Sequence, residues 1–233
     1  DTATGKTVYS GTLSPAHPQT STGETVRIAD FSAFTTPGTY VVRAPGVPDS
    51  DPFPIAADVV DKPLEGLMMG FYGQRCGQAV TFSWNGVTFH HEPCHTEPSR
   101  LDYYDKALAG KSRDATGGWH DAGDYGKYSV NAAFTCALML QAWERNGESL
   151  KSLKIDIPAA NDGLPYYLSE IKFNLDWLLK MQMEDGRVSH KMTPLNFCGQ
   201  VLPEKETAPM YFAPWSKVAT VDTSIASAVK RAA

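Results

Sequence analysis

Apolar positions in residues 1–57 come in short bursts, not in helical stripes. Residues 7–10, 25–29 and 39–43 are runs rich in β-branched and aromatic side chains. Each is bounded by turn formers: Gly11, Pro15, Gly23, Pro37-Gly38 and Pro45-Gly46. Short strands at this spacing predict part of a β-sandwich. After Pro63 the period changes. Leu64, Leu67, Met68, Phe71 and Tyr72 recur as one helix face, with Gly77 as its stop. Ala132, Cys136, Met139, Leu140 and Trp143 make a second stripe. Leu168, Ile171, Leu175, Leu178 and Leu179 make a third, opened by Pro165, and Val221, Ile225, Ala228 and Val229 begin a fourth. The pattern therefore predicts a multidomain β + α chain. Its β part covers residues 1–57, a join covers 58–66, and an all-α part covers 67–233.

Between the first two helical stripes, residues 77–125 show little helical period. Loops that long are uncommon unless they are functional or tied down. This one carries His90, His91, His95, His120, Cys94, Asp121 and Asp124. Any chemistry is expected there.

Composition narrows the function classes. Hydrophobic residues make up 42% of the 233, enough for a packed core and against disorder. The net charge is −5 and no basic run or stripe occurs, so nucleic acid is not an expected partner. No apolar stretch approaches the ~20 residues of a membrane span, so no membrane is expected either. Four cysteines are too few for a disulfide-built scaffold of this size.

Cys76 closes the first helix, Cys94 and His95 are adjacent in the loop, and His120 precedes Asp121. Thiolate and imidazole are the ligands zinc prefers, and two of each can close a tetrahedral, structural shell. The spacing matches no standard finger. A Cys76–Cys94 disulfide or unrelated thiols remain alternatives, and His90 and His91 are rival ligands. Cys136 lies on an apolar helix face and reads as core.

Asp121 and Asp124 stand three residues apart in a glycine-rich turn, with Gly123 and Gly126 allowing tight folding. Two carboxylates aimed at one spot can bracket a water and deprotonate it as it attacks. The alternatives are an N-cap for Asp124, an Asx-turn for Asp121, or an oxygen-ligand calcium loop.

The run from Gly118 to Tyr128, Gly-Trp-His-Asp-Ala-Gly-Asp-Tyr-Gly-Lys-Tyr, resembles the signature near the start of the glycoside hydrolase family 9 catalytic domain. So do Phe71-Tyr72-Gly73-Gln74-Arg75-Cys76-Gly77, Glu92-Pro93-Cys94-His95, the run from Glu170 to Gln182, the run from Asp185 to Lys191, and Tyr211-Phe212-Ala213-Pro214-Trp215-Ser216. Upstream, Ala29-Asp30-Phe31-Ser32 and Pro37-Gly38-Thr39-Tyr40 resemble the immunoglobulin-like module that precedes one branch of the family. The resemblance implies a partial immunoglobulin-like β-sandwich followed by the N-terminal part of an (α/α)6 barrel. It implies an inverting hydrolase of β-1,4-glucan, secreted, with Asp124 as general base and Asp121 helping to hold the water. It implies structural zinc on Cys76, Cys94, His95 and His120, and sugar contacts from His190, with Trp119 and Tyr125 as neighbouring substrate-binding candidates. A calcium ion has no place that this stretch identifies. The family's general acid, a glutamate, is expected beyond Ala233, so the chain reads as a fragment whose partner is the remainder of the domain. Where family members carry Pro-Asp and Asp-Glu pairs, this chain has Pro165-Tyr166 and Ser169-Glu170. Endo-action is the first expectation. Exo-action by a relative and a non-catalytic carbohydrate-binding fragment are the alternatives.

Overall fold

The computed structural model describes residues 1–103, 105–155, 157 and 163–232, with side chains through Ser224. The chain divides into two compact units, Asp1–Lys62 and Pro63–Ala233.

The first unit is β. Strand β1 (His17–Gln19) pairs antiparallel with β2 (Glu24–Val26), and β3 (Gly38–Tyr40) pairs antiparallel with β4 (Phe53–Ile55). The ladders are shorter than the sequence runs. Residues 7–10, expected as a strand, pair with no strand among the described residues. β-propensity makes a strand only where a second backbone lies alongside to exchange hydrogen bonds. Tyr9 packs its ring on Phe34 instead, at 5.8 Å, and Phe34 meets Tyr40 edge-on at 5.1 Å. Tyr40 is buried.

The second unit is mainly α. Helix α1 (Asp61–Gly73) carries three buried side chains, Met68, Met69 and Tyr72. Helix α2 (Ser129–Ser152) buries Ala133, Cys136, Met139 and Leu140, and breaks at Asn146, where φ is −132°. Helix α3 (Tyr166–Lys180) starts directly after Pro165, whose fixed φ suits a helix entry. Helix α2 packs against α3 and against α4 (Lys217–Ala232). The stripes locate the helices but not every buried position. Leu67, Leu179 and Val221 are exposed, while Met69, Trp177 and Ala219 are buried. Of the fourth stripe, the side chains of Ile225, Ala228 and Val229 lie outside those described.

Two β features involve the long connection. Strands β5 (Val80–Trp84) and β6 (Val87–His91) form a hairpin. Its two-residue loop puts Asn85 at φ 48° and Gly86 at φ 79°, the left-handed pair that matches strand twist. Strands β7 (Ser99–Arg100), β8 (Ser112–Arg113), β9 (Lys127–Tyr128), β10 (Lys191–Thr193) and β11 (Tyr211–Phe212) form one sheet in the order β8-β7-β11-β10-β9. Strand β9 runs straight into α2, so the sheet fixes where that helix begins. The turn before it crosses α3 closely. Gly118 sits at φ +75°, and a Cβ there would stand 2.5 Å from Trp177 Cδ2. Only glycine fits both the dihedral and the space.

Candidate metal centre and active site

The end of α1 lies beside the long connection through a short antiparallel bridge, Arg75 opposite Trp119. The Cys76 N–H donates to Gly118 O at 2.9 Å, and the His120 N–H donates to Gln74 O at 2.8 Å. This pairing sets Cys76 and His120 on neighbouring strands of chain. Cys94 and His95, just past β6, complete the group, and the ligand atoms of all four lie within 4.8 Å of one another. Cys76 Sγ is 3.8 Å from His95 Nδ1, and Cys94 Sγ is 3.6 Å from His120 Nε2. A zinc tetrahedron of two sulfurs and two nitrogens has S···N edges of about 3.6 Å, given its bond lengths. Both thiols are free, so the disulfide alternative falls. The rivals are not among the four: His90 bonds Thr81 and Glu92, and His91, its ring 6.3 Å from that of His120, bonds Glu92 O through Nδ1. His95 holds φ at 48°, a strained value for a residue with a side chain, such as over-determined sites retain.

The electrostatics suit a cation. The hydrogen bond between the thiols holds Cys76 well below the ordinary thiol range, against its burial. The same bond, together with burial, pushes Cys94 up. Burial pushes His120 below its ordinary value and keeps the imidazole neutral, the form that ligates. Lys127 lies alongside, fully buried, donating to Ala115 O at 2.8 Å and Gly117 O at 2.7 Å. Its charge further favours the Cys76 thiolate.

The acidic turn follows directly. The Asp121 N–H donates to Gly126 O at 2.9 Å, and Tyr125 takes φ 51° to close the loop between them. Asp121 is exposed and accepts the Asn131 amide on Oδ1 at 3.0 Å. Asp124 is half-buried. Its Oδ2 accepts the Tyr128 hydroxyl at 2.7 Å, and its Oδ1 accepts the Gly126 N–H at 3.3 Å. The position preceding α2 is held by Tyr128, with no side-chain cap, so Asp124 is not that helix's N-cap. The Asp121 side chain is engaged by Asn131 rather than by its own turn backbone. The Cys/His cluster is the one group among the described residues that could hold a metal ion, and nothing supports a calcium loop.

Underneath lies a buried polar knot. Arg75 makes hydrogen bonds of 2.9–3.2 Å from Nε and Nη2 to the fully buried Glu170. The Trp119 indole N–H donates to the same carboxylate at 2.8 Å, and the Trp119 backbone N–H donates to Asn174 Oδ1 at 3.2 Å. Helix α3 thereby grips the residue just before His120 and Asp121.

Residues 61–230 match the family described as Glycosyl hydrolase family 9, and residues 1–49 match the cellulase N-terminal Ig-like domain. The chain belongs to glycosyl hydrolase family 9. Endoglucanase D of Acetivibrio thermocellus is 43% identical over 220 residues, covering 94% of this chain and 35% of that protein. A cellodextrinase of Butyrivibrio fibrisolvens is 37% identical over 221 residues, covering 94% of this chain and 39% of its own length. The crystal structure of the family 9 endoglucanase J30 superposes with a TM-score of 0.84 at 36% identity, covering 98% of this chain and 43% of that one. A zinc-binding triple mutant of J30 superposes with a TM-score of 0.83 at 37% identity, covering 98% of this chain and 43% of that one. The chain spans about a third of the length of these curated relatives. Its first unit is an Ig-like domain, and α1–α4 are part of a family 9 (α/α)6 barrel.

Within this family 9 segment the expected site residues separate into two sets. Cys76, Cys94, His95 and His120 converge, and Asp121 and Asp124 lie in the turn that follows His120; the Tyr125 ring lies 5.1 Å from that of His120, and its hydroxyl donates to Val201 O. Trp119 does not offer a sugar platform. Its ring is buried and lies 4.7 Å from Phe71, and its N–H is committed to Glu170. Indole buries where its one donor finds an acceptor, which is the case here. His190 has an exposed side chain and a fixed backbone, accepting from the Ser129 N–H at 3.0 Å. Sequence reasoning missed Tyr128 and Asn131, which hold the two aspartates, and the Arg75–Glu170 pair. Cys198 gave no signal, yet its Sγ lies 3.5 Å from Gly123 O, against the acidic turn.

Proposed function

We propose that this segment supplies the water-activating half of a secreted, inverting β-1,4-glucan hydrolase. The observation that carries the reading is the Asp121/Asp124 turn, built on the ligand His120 and clamped by α3. Asp124 takes a proton from a water as the water oxygen bonds to the anomeric carbon. The glycosidic C–O bond breaks, and its electron pair leaves on the departing sugar oxygen. That oxygen is protonated by a carboxylic acid supplied elsewhere in the catalytic domain. Inversion requires the two carboxyls to stand ~6.5–9.5 Å apart so that the water fits between them. Asp121 shares the water, and His190, exposed beside the start of α2, is placed for the sugar.

The substrate class follows the relatives, whose names include an endoglucanase and a cellodextrinase. We assign endo-action to the full-length enzyme, with release of short products from chain ends as the second reading. On carboxymethylcellulose, viscosity is expected to fall well before reducing ends accumulate, and the first product seen by proton NMR should be the α-anomer. A β-anomer as first product would overturn the inverting assignment. Slow viscosity loss with early soluble sugar would favour the second reading.

Zinc is the metal this donor set fits: two thiols, two imidazoles, and S···N spacings of 3.6 and 3.8 Å. When bound, it would fix the connection between α1 and the acidic turn, and would not touch the sugar. The purified protein is expected to contain about one zinc per chain. Elemental analysis with thiol titration checks this. A Cys76–Cys94 disulfide and no metal would refute it.

A further inference from the structure

The two aspartates are held by the beginning of one helix. Tyr128 ends β9, where its backbone pairs with Lys191, and its side chain projects away from that of the buried Lys127. The next residue, Ser129, is pinned twice: its N–H donates to His190 O, and its hydroxyl donates to Ser189 O at 2.7 Å. The Lys191 ammonium lies 5.2 Å from the Tyr128 ring centroid. The phenol is therefore held from its backbone and across its ring, and its O–H meets Asp124 Oδ2 at 2.7 Å. Gly126 lies under the contact. A Cβ there would stand 3.1 Å from Tyr128 Cε2 and 3.2 Å from Asp124 Oδ2, so the pair closes over a position that has no side chain. Asp124 Oδ1 is engaged only at 3.3 Å, by the Gly126 N–H, the long end of hydrogen bonding.

We infer that Tyr128 is a positioning residue for the general base: its hydroxyl ties Oδ2 of Asp124 and leaves Oδ1 as the oxygen that receives the water's proton. This rests on Asp124 being the base. A phenol suits the task because it donates strongly to a carboxylate without surrendering its proton. Here burial, the bond to Asp124 and the charges of Asp124 and Asp121 push its pKa up further. Asn131 does the corresponding service for Asp121 by occupying Oδ1 and leaving Oδ2 for the same water.

The test is a double-mutant cycle in the full-length enzyme. Tyr128→Phe keeps the ring beneath Lys191 and removes only the hydroxyl. Its kcat on a soluble β-1,4-glucan should fall about tenfold or more, with KM, melting temperature and metal content unchanged, because a loosened base loses orientation and keeps its chemistry. Added to Asp124→Asn, the same change should lower kcat no further, since no base is left to orient. Gly126→Ala, which wedges the pair apart, should reproduce the kcat-only loss if Tyr128→Phe proves unstable. Wild-type kcat in Tyr128→Phe beside a crippled Asp124→Asn would overturn the inference and leave the base assignment standing. Equal losses from Tyr128→Phe in both backgrounds would also overturn it. Near-normal turnover in Asp124→Asn would bring down the base assignment and this inference together.

Discussion

Asp124→Asn in the full-length enzyme is expected to lower kcat by about 10²–10⁴-fold, the usual worth of general-base assistance. The substitution keeps the shape of the side chain. An amide oxygen can still accept the Tyr128 hydroxyl, which now bonds Oδ2 at 2.7 Å, so the turn should stay folded. What it cannot do is take a proton from water. KM should change little, because the base interacts with the water and not with the sugar in the ground state. Azide sharpens the test. A small anion needs no deprotonation, so it should restore turnover in the variant and yield an α-glycosyl azide from a β-glucan. Turnover near normal with fold and metal content intact would show that Asp124 serves only the turn.

Glu170→Ala is expected to give the largest loss of stability. The carboxylate has no exposure and accepts from three donor atoms, two of Arg75 and the Trp119 indole nitrogen. Removing one member of a buried ion pair strands the other charge, which costs about 3–5 kcal/mol. For a domain of this size that is a drop in melting temperature of roughly 10 °C. Glu170→Gln is the gentler probe: it can still accept from the indole but leaves the Arg75 guanidinium without its countercharge. Thermal denaturation of both variants, with zinc content followed in parallel, checks the ordering. A melting temperature within about 2 °C of wild type for Glu170→Ala would show the knot to be dispensable.

How much of this was legible in the sequence depends on the kind of signal. The helices were, because a 3.6-residue period survives any tertiary detail: Pro165 opens α3, and Cys136, Met139 and Leu140 sit where the stripe placed them. The buried faces were less so. In α1, Leu67 and Met69 are both apolar, and only the neighbouring elements decide that Met69 is covered while Leu67 stays 63% exposed. The β5–β6 hairpin carried a readable Asn85-Gly86 signal that the missing helical period of the long connection obscured. Glu170 was unreadable as a core residue, since a carboxylate is placed at the surface by default. Its burial depends on Arg75, a partner 95 residues away. The ligand types of the metal group were visible, but their convergence was not. It depends on the bridge between Arg75 and Trp119, which no local pattern announces. Trp119 misled for the opposite reason: an aromatic beside an acidic turn looks like a sugar platform until its N–H is seen to be spent on Glu170.

The separation of Arg75 from Glu170 has a consequence for how such a chain can diversify. Closing a loop that long costs entropy that grows only as the logarithm of its length. Ten residues inserted at the exposed Asn85-Gly86 tip would lengthen the hairpin's own two-residue loop to about twelve, at a closure cost of about 1.6 kcal/mol. Losing the Glu170 carboxylate and stranding Arg75 costs more, about 3–5 kcal/mol. The outer connection can therefore be lengthened and reshaped at a lower cost than loss of the clamp, which holds the acidic turn in register.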